Sequence, residues 1–342
     1  MSIISHLLGK TFHDQALYVR VDTGQENVHL LFDCGENVLH DLKNTVIQQL
    51  DHIFFSHFHI DHIAGFDTLL RNNYNREKPI HLWGPQDAHQ VLSHRLQGFT
   101  WNLTNDQPGI FYLHEILKDY VEHQIRYTRE QFKYAHILDT TPFTSMLYEN
   151  DFCQVHAILL PHHISCAGYL VQEKDRYHVN KKILQEEKWM PGSWLQNVKN
   201  FAIPDEECIE IQGKIYCLQE VRKKLLQKIK GSAVAYLTDF YMDTTIEQKL
   251  IDFLPPHCSL FCESQYLDFD KALANLHQHL HISQAIQLAR KVHASSLTLF
   301  HFSHRYSLSD IQDAIRQQTQ NLEDQKKMTI HISNMMTNIK DS

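Results

Sequence analysis

The sequence has no stretch approaching the roughly 18 consecutive apolar residues that a membrane-spanning helix requires. Its first residues, MSIISHLLGK, have neither the basic start nor the apolar run of a secretory signal. Both absences lead to the expectation of a cytoplasmic protein with no membrane association. The seven cysteines are scattered, odd in number and without a C-x-x-C pair, which excludes a disulfide framework and a cysteine zinc knuckle and leaves reduced thiols. Positive charge is not in excess: with histidine neutral the net charge is −8, so nothing global draws a polyanion, and any nucleic-acid contact has to be local. There is no internal repeat or proline-rich linker, and compositional bias is confined to a glutamine- and charge-rich stretch at 316–327.

What is present is an ordinary globular composition, 43% hydrophobic and 21% charged over 342 residues, enough for a packed core in one large domain with an insertion. Short runs rich in Val, Ile, Leu and Phe at 28–32, 53–55, 155–160, 234–237, 260–261 and 297–300 read as buried strands. Longer helix-like segments at 63–71, 85–96, 218–229, 283–292 and 308–318 alternate with them. The order predicts an α/β chain in which helices cover sheets. In the fourth helix a capping Ser283 precedes Ala285, Ile286, Leu288, Ala289 and Val292 at amphipathic spacing, a core face. The segment 172–231 has no clear sheet periodicity and reads as an insertion or arm. Between Lys174 and Lys230 it carries 12 Lys/Arg against 8 Asp/Glu, which fits a local anion contact or a solvated helical face.

Histidine is abundant, with 26 residues, so spacing has to separate ligands from chance. Directly after the run 53–55 comes SHFHIDH (56–62), then an apolar helix. His57 and His59, two apart in an extended loop, can converge on one ion, while Asp61 and His62 are offset enough to reach a second. Three further candidates each follow a predicted strand: His162, Asp239 and His301. All would project from strand ends onto one rim. His114, His123, His136 and His156 lack partner spacing and receive no role.

These strings also carry a resemblance. LFDCGEN (31–37), SHFHIDH, HHISCAGY (162–169), YLTD (236–239) and HFSHRY (301–306) match, in order, the motifs of ribonuclease Z, the tRNA 3′ endonuclease family of the metallo-β-lactamase superfamily. The resemblance implies an αββα metallo-β-lactamase sandwich spanning 1–342 with an inserted arm or exosite at about 172–231. It puts His57, His59 and His162 on one metal and Asp61, His62 and His301 on the other, with Asp239 bridging. Zinc is the expected metal, with manganese and iron also suited to such ligands. The implied activity is a zinc-dependent phosphodiesterase or endoribonuclease acting on tRNA precursor 3′ ends, or on a small phosphodiester, through a water activated between two ions, with Asp61 holding it in line. His281, in HISQA before the helix at 283, is the expected general acid, and Glu263 its orienting partner. Asp33 is expected to support the histidine loop. The resemblance further implies a homodimer. The sequence departs from the family in lacking a glycine-rich turn within SHLLGKTFHDQ, in Cys262 and His304, and in Ser193 after Gly192 of the arm. Left open are a hydrolase of the same fold acting on another ester, thioester or lactone, and a non-catalytic metal- or RNA-binding relative.

Overall fold

A computed structural model describes residues 2–22, 27–319 and 328–333; positions 320–327 of the glutamine-rich stretch lie outside them. The chain divides into two compact units, Met1–Glu173 with Ser232–Ser342, and Lys174–Gly231.

The larger unit is built on two sheets. The first has nine strands, and in its middle Asn27–Phe32, Leu50–Phe54, Ile80–Pro85 and Ile110–Ile116 run parallel. The second has seven strands, in which Ala233–Leu237, Ser259–Glu263, Ser296–Phe300 and Thr329–Ile332 are parallel neighbours. The apolar runs are continuous rather than alternating because both faces of each strand are covered. Phe32, Phe54 and Trp83 meet Tyr169, Tyr236 and Phe300 between the sheets. Their chain neighbours Leu31, Ile53 and Leu82 face the opposite way, packing with Leu69 and Leu92 of the helices Phe66–Asn73 and Ala88–Gln97. On the far side Leu260, Leu297 and Leu299 pack with Leu250, Ile286 and Leu288. The layers are therefore helix, sheet, sheet, helix.

The helix expected at 63–71 is instead two pieces, Ile60–Ile63 and Phe66–Asn73. Between them lies Gly65, where a Cβ would stand 2.2 Å from the carbonyl oxygen of Gly35, so glycine permits the close approach of the two loops. The helix expected from residue 85 starts at Ala88, because Ile80–Pro85 is a strand.

The Lys174–Gly231 unit has its own core, with Leu184, Trp189, Val198, Ile211 and Leu225 buried. The helix expected at 218–229 ends at Leu225, and Leu226–Ile229 pairs instead with Arg176–Val179. A second hairpin joins Cys208–Ile211 to Lys214–Cys217 through Gln212 and Gly213, both left-handed at φ 53° and 78°. Strands of four residues are too short for alternation to be visible in sequence. Among the described residues no helix is long and apolar enough to cross a membrane.

Candidate metal centre

The parallel strands all end at one edge of the sandwich, and the site is made from the residues just beyond them. His57 and His59 follow Leu50–Phe54, and Asp61 and His62 lie in the short helix Ile60–Ile63. His162 follows Cys153–Pro161, Asp239 follows Ala233–Leu237, and His301 follows Ser296–Phe300. All seven residues singled out as ligands are brought together. Donor atoms of His57, His59, His162 and Asp239 lie within 4.8 Å of one another, as do those of Asp61, His62 and His301. Asp239 touches both sets: its carboxylate is 3.7 Å from His57 Nε2, 3.5 Å from His62 Nε2 and 3.5 Å from His301 Nδ1.

Neighbouring groups fix the rings. Asp33, fully buried, accepts hydrogen bonds from the Ser56 amide (2.7 Å), the Ser56 hydroxyl (2.8 Å) and the Tyr236 hydroxyl (2.8 Å), and its Oδ2 is 2.8 Å from His62 Nδ1. That contact leaves His62 Nε2 facing the cluster. His162 Nδ1 lies 3.1 Å from the Gln278 carbonyl oxygen, which likewise turns its other nitrogen inward.

The electrostatics call for cations. Burial alone would raise Asp239, yet His301, His62 and His57 hold its carboxyl well below the usual range; Asp61 is lowered likewise by His301 and His62. Burial would lower His301, but Asp239 and Asp61 push it up to about 9. His57, buried and beside His62, is driven well down and stands neutral. Two atoms of the cluster, His62 Nε2 and His301 Nδ1, are buried with no hydrogen-bond partner. Imidazole nitrogens left unsatisfied in this way beside two carboxylates fit a pair of divalent ions.

The structure does not bring His281 to the cluster. It is the N-cap of the helix Ile282–Lys291, its amide donates to Gln284 Oε1 (3.2 Å), and its Nδ1 is 2.6 Å from Asp268 and 2.9 Å from the Ser283 hydroxyl. Two residues earlier, His279 is the histidine the sequence reading missed. Its donor nitrogen joins Asp239 and His301 within 4.8 Å, and its ring centroid is 5.1 Å from that of His162. Glu263, fully buried, sits 3.2 Å from His279 Nδ1 and accepts from the Phe240 amide at 2.9 Å. Burial opposes a proton on His279, but Glu263 outweighs it and raises the imidazole. What separates the two histidines is the Glu263 carboxylate, which reaches His279 from another strand while His281 caps the helix. Two of the departures from the resembling family lie together, since the Phe12 and His304 rings are 6.0 Å apart.

A four-layer sandwich carrying such a cluster at its strand edge defines a metal-dependent hydrolase of the metallo-β-lactamase fold. Ribonuclease Z of Deinococcus radiodurans is 36% identical over 312 residues, covering 91% of this chain and 93% of the relative. Ribonuclease Z of Staphylococcus saprophyticus is 26% identical over 89% and 87%. The chain belongs to the ribonuclease Z family. Residues 9–179 also match the family model described as anti-Pycsar protein Apyc1. Two solved structures share the fold. The Bacillus subtilis metallo-β-lactamase-fold protein YhfI has a TM-score of 0.56 at 14% identity, covering 97% of this chain and 96% of the other. The short form of human tRNase Z has 0.52 at 17%, with complete coverage of both.

Proposed function

We propose that this chain is a metal-dependent endoribonuclease that cleaves tRNA precursors at their 3′ ends. The observation that carries the reading is the convergence of seven imidazole and carboxylate ligands beside a buried Glu263–His279 pair. It occurs in a chain 36% identical to a ribonuclease Z over 91% of its length. His57, His59 and His162 would hold one ion, Asp61, His62 and His301 the other, with Asp239 shared; zinc is the ion such a donor set favours. Bound ions of this kind supply neutralisation of charge at the phosphoryl group and a water acidic enough to attack at neutral pH.

The protein's own part is positioning and proton transfer. Asp61 accepts at the attacking side. His279 takes the general-acid role first assigned to His281: with Nδ1 turned to Glu263, its Nε2 proton is free for the departing oxygen. Glu263 orients that ring and keeps it protonated. In the Lys174–Gly231 unit, a cavity of about 660 Å³ lined by Trp189, Leu195, Lys181, Lys188 and Lys199 supports a role in gripping the RNA backbone. All seven cysteines are free thiols, which suits a cytoplasmic setting, and family membership supports a homodimer that a solution mass measurement would test.

The test is to incubate zinc-loaded protein with a tRNA precursor bearing a 3′ trailer and, separately, with a small phosphodiester. Precursor cleavage at the 3′ end is expected. Cleavage of the small diester alone would reject the RNA substrate, and cleavage of neither would reject the nuclease reading.

A further inference from the structure

Five of the seven cysteines are buried, and burial pushes the Cys34, Cys166 and Cys262 thiols well up and the Cys258 thiol up to about 11. The other two, Cys208 and Cys217, are exposed and partly exposed. They also face each other directly, as the last register pair of the antiparallel hairpin Cys208–Ile211 with Lys214–Cys217. The neighbouring pair, Glu207 and Leu218, exchanges a backbone hydrogen bond from Leu218 N to Glu207 O at 2.9 Å. In an antiparallel ladder hydrogen-bonded and non-hydrogen-bonded pairs alternate, so Cys208 and Cys217 form a non-hydrogen-bonded pair.

That distinction decides the chemistry. Non-hydrogen-bonded partners have Cα atoms about 4.5 Å apart, at the short end of the range a disulfide accepts, with side chains on the same face. Their Cβ atoms, about 4.5–5.5 Å apart in such pairs, need only a small inward movement to close the bond. The pair lies at the open end of the hairpin, away from the Gln212–Gly213 turn, where such movement is easiest. The Cys217 thiol has only a weak contact, 3.7 Å to the Asp205 carbonyl oxygen, so little holds it back.

We propose that Cys208 and Cys217 are a redox modification site that closes a reversible intrachain disulfide on reaction with a low-molecular-weight disulfide such as oxidised glutathione. One thiolate attacks the glutathione disulfide, forming a mixed disulfide and releasing one glutathione thiol. The second thiolate then attacks the protein sulfur of that mixed disulfide and releases the other. Two cysteine thiols are oxidised by two electrons, and one glutathione disulfide is reduced to two thiols. The bond would join the strand that supplies Ile209 and Ile211 to the core of this unit with Cys217, the N-cap of the helix Leu218–Leu225. Strand and helix start would then be tied together. A cross-strand bond pinched to fit its ladder is readily reduced, as a switch rather than a structural staple requires. The inference stands apart from the nuclease reading, since nothing in it involves the metal cluster.

Full-length protein incubated natively with oxidised glutathione, alkylated and mapped by mass spectrometry tests it. The expected product is one intrachain Cys208–Cys217 link, reversed by dithiothreitol, with the five buried thiols alkylated only after unfolding. In Cys208→Ser, Cys217 should retain glutathione as a mixed disulfide for want of a resolving thiol, and Cys217→Ser should show the reverse. On oxidation, amide exchange at Ile209 and Tyr216 should slow about tenfold. Glutathione retained on both cysteines of the unsubstituted chain, a link between chains, no oxidation, or unchanged exchange in the oxidised protein would overturn the proposal.

Discussion

Away from the metal cluster, His52, His81 and His114 stack across three adjacent strands. Their ring centroids are 4.7 and 5.2 Å apart, and Tyr148 lies 4.0 Å from His52. His52 Nδ1 accepts from the Trp83 indole at 3.2 Å and so must be unprotonated, and His114 lies 3.0 Å from His81 and 2.7 Å from His123 through its two nitrogens. Burial, chiefly, lowers all three, with Arg76 and Lys78 adding to it at His52 and His81 and Asp51 opposing it at His81. His81 falls to about 4 from the ordinary 6.5. As pH drops below 6.5 the unfolded chain takes up a proton that the folded chain refuses, so stability declines until pH passes 4. The full effect of His81 alone is about 3 kcal/mol, and about 2.5 kcal/mol of it is lost by a pH of about 4.5. Against a total stability on the order of 5–15 kcal/mol this is measurable, and His52 and His114 add to it. The assay is denaturant unfolding of chelator-treated wild type and His81→Gln at pH 7 and 4.5, with chelation removing acid effects on bound metal. The variant starts less stable at pH 7, having lost a stacked ring, but should lose about 2 kcal/mol less than wild type on acidification. Equal losses in the two proteins would refute the reasoning.

The other predictions concern the cluster. His279→Ala should lower kcat on a tRNA precursor by about 10²–10⁴ with metal content unchanged, whereas His281→Ala should cost about 1 kcal/mol of stability through its lost contacts to Asp268 and Ser283 and leave kcat near wild type. Equal kinetic effects would reject the reassignment. Asp33→Asn replaces an acceptor that serves Ser56 and Tyr236 with a partial donor, and should destabilise by about 2–3 kcal/mol and weaken metal retention, read by unfolding and elemental analysis. Gly35→Ala would set a Cβ 2.3 Å from the Asp61 carbonyl oxygen and 2.5 Å from Asp14 Cβ, displacing the Asp61 loop. A loss of about 1–3 kcal/mol is expected, with metal loss from the Asp61, His62 and His301 set first.

The buried strands were legible in sequence because each is apolar on both faces; His162, Asp239 and His301 were legible because each directly follows such a strand, and His57, His59, Asp61 and His62 through their spacing in SHFHIDH. Four-residue strands in the Lys174–Gly231 unit were not legible, since alternation needs more length than they have. His114 lacked sequence neighbours with ligand spacing and received no role, yet it stacks on residues from other strands, a relation fixed by register alone. The placement of His281 away from the cluster has a sharper cause. His279 and His281 are two apart in one segment, and motif position cannot tell which faces the strand edge and which caps the helix. Only the Glu263 carboxylate, arriving from another strand, separates them.

Three of the site residues that follow strands share a backbone feature. Asp33, Asp239 and His301 are left-handed, with φ of 62°, 50° and 59°. Each such step costs an L-residue about 1 kcal/mol, and aspartate and histidine are among the side chains that tolerate it best. The left-handed step turns the chain sharply at the sheet edge, so that the side chain faces inward while the next residues leave. Hydrogen bonds from the backbone amides hold two of these turns: Asp33 N donates to Phe54 O at 2.8 Å, and His301 N to the side-chain Gln15 Oε1 at 3.1 Å. Cys34 N then reaches the His62 carbonyl oxygen at 2.8 Å, locking the turn after Asp33 to the loop that carries His62. The strain is thus carried by the sheets and their neighbours, which fix the direction in which each donor side chain leaves the strand edge.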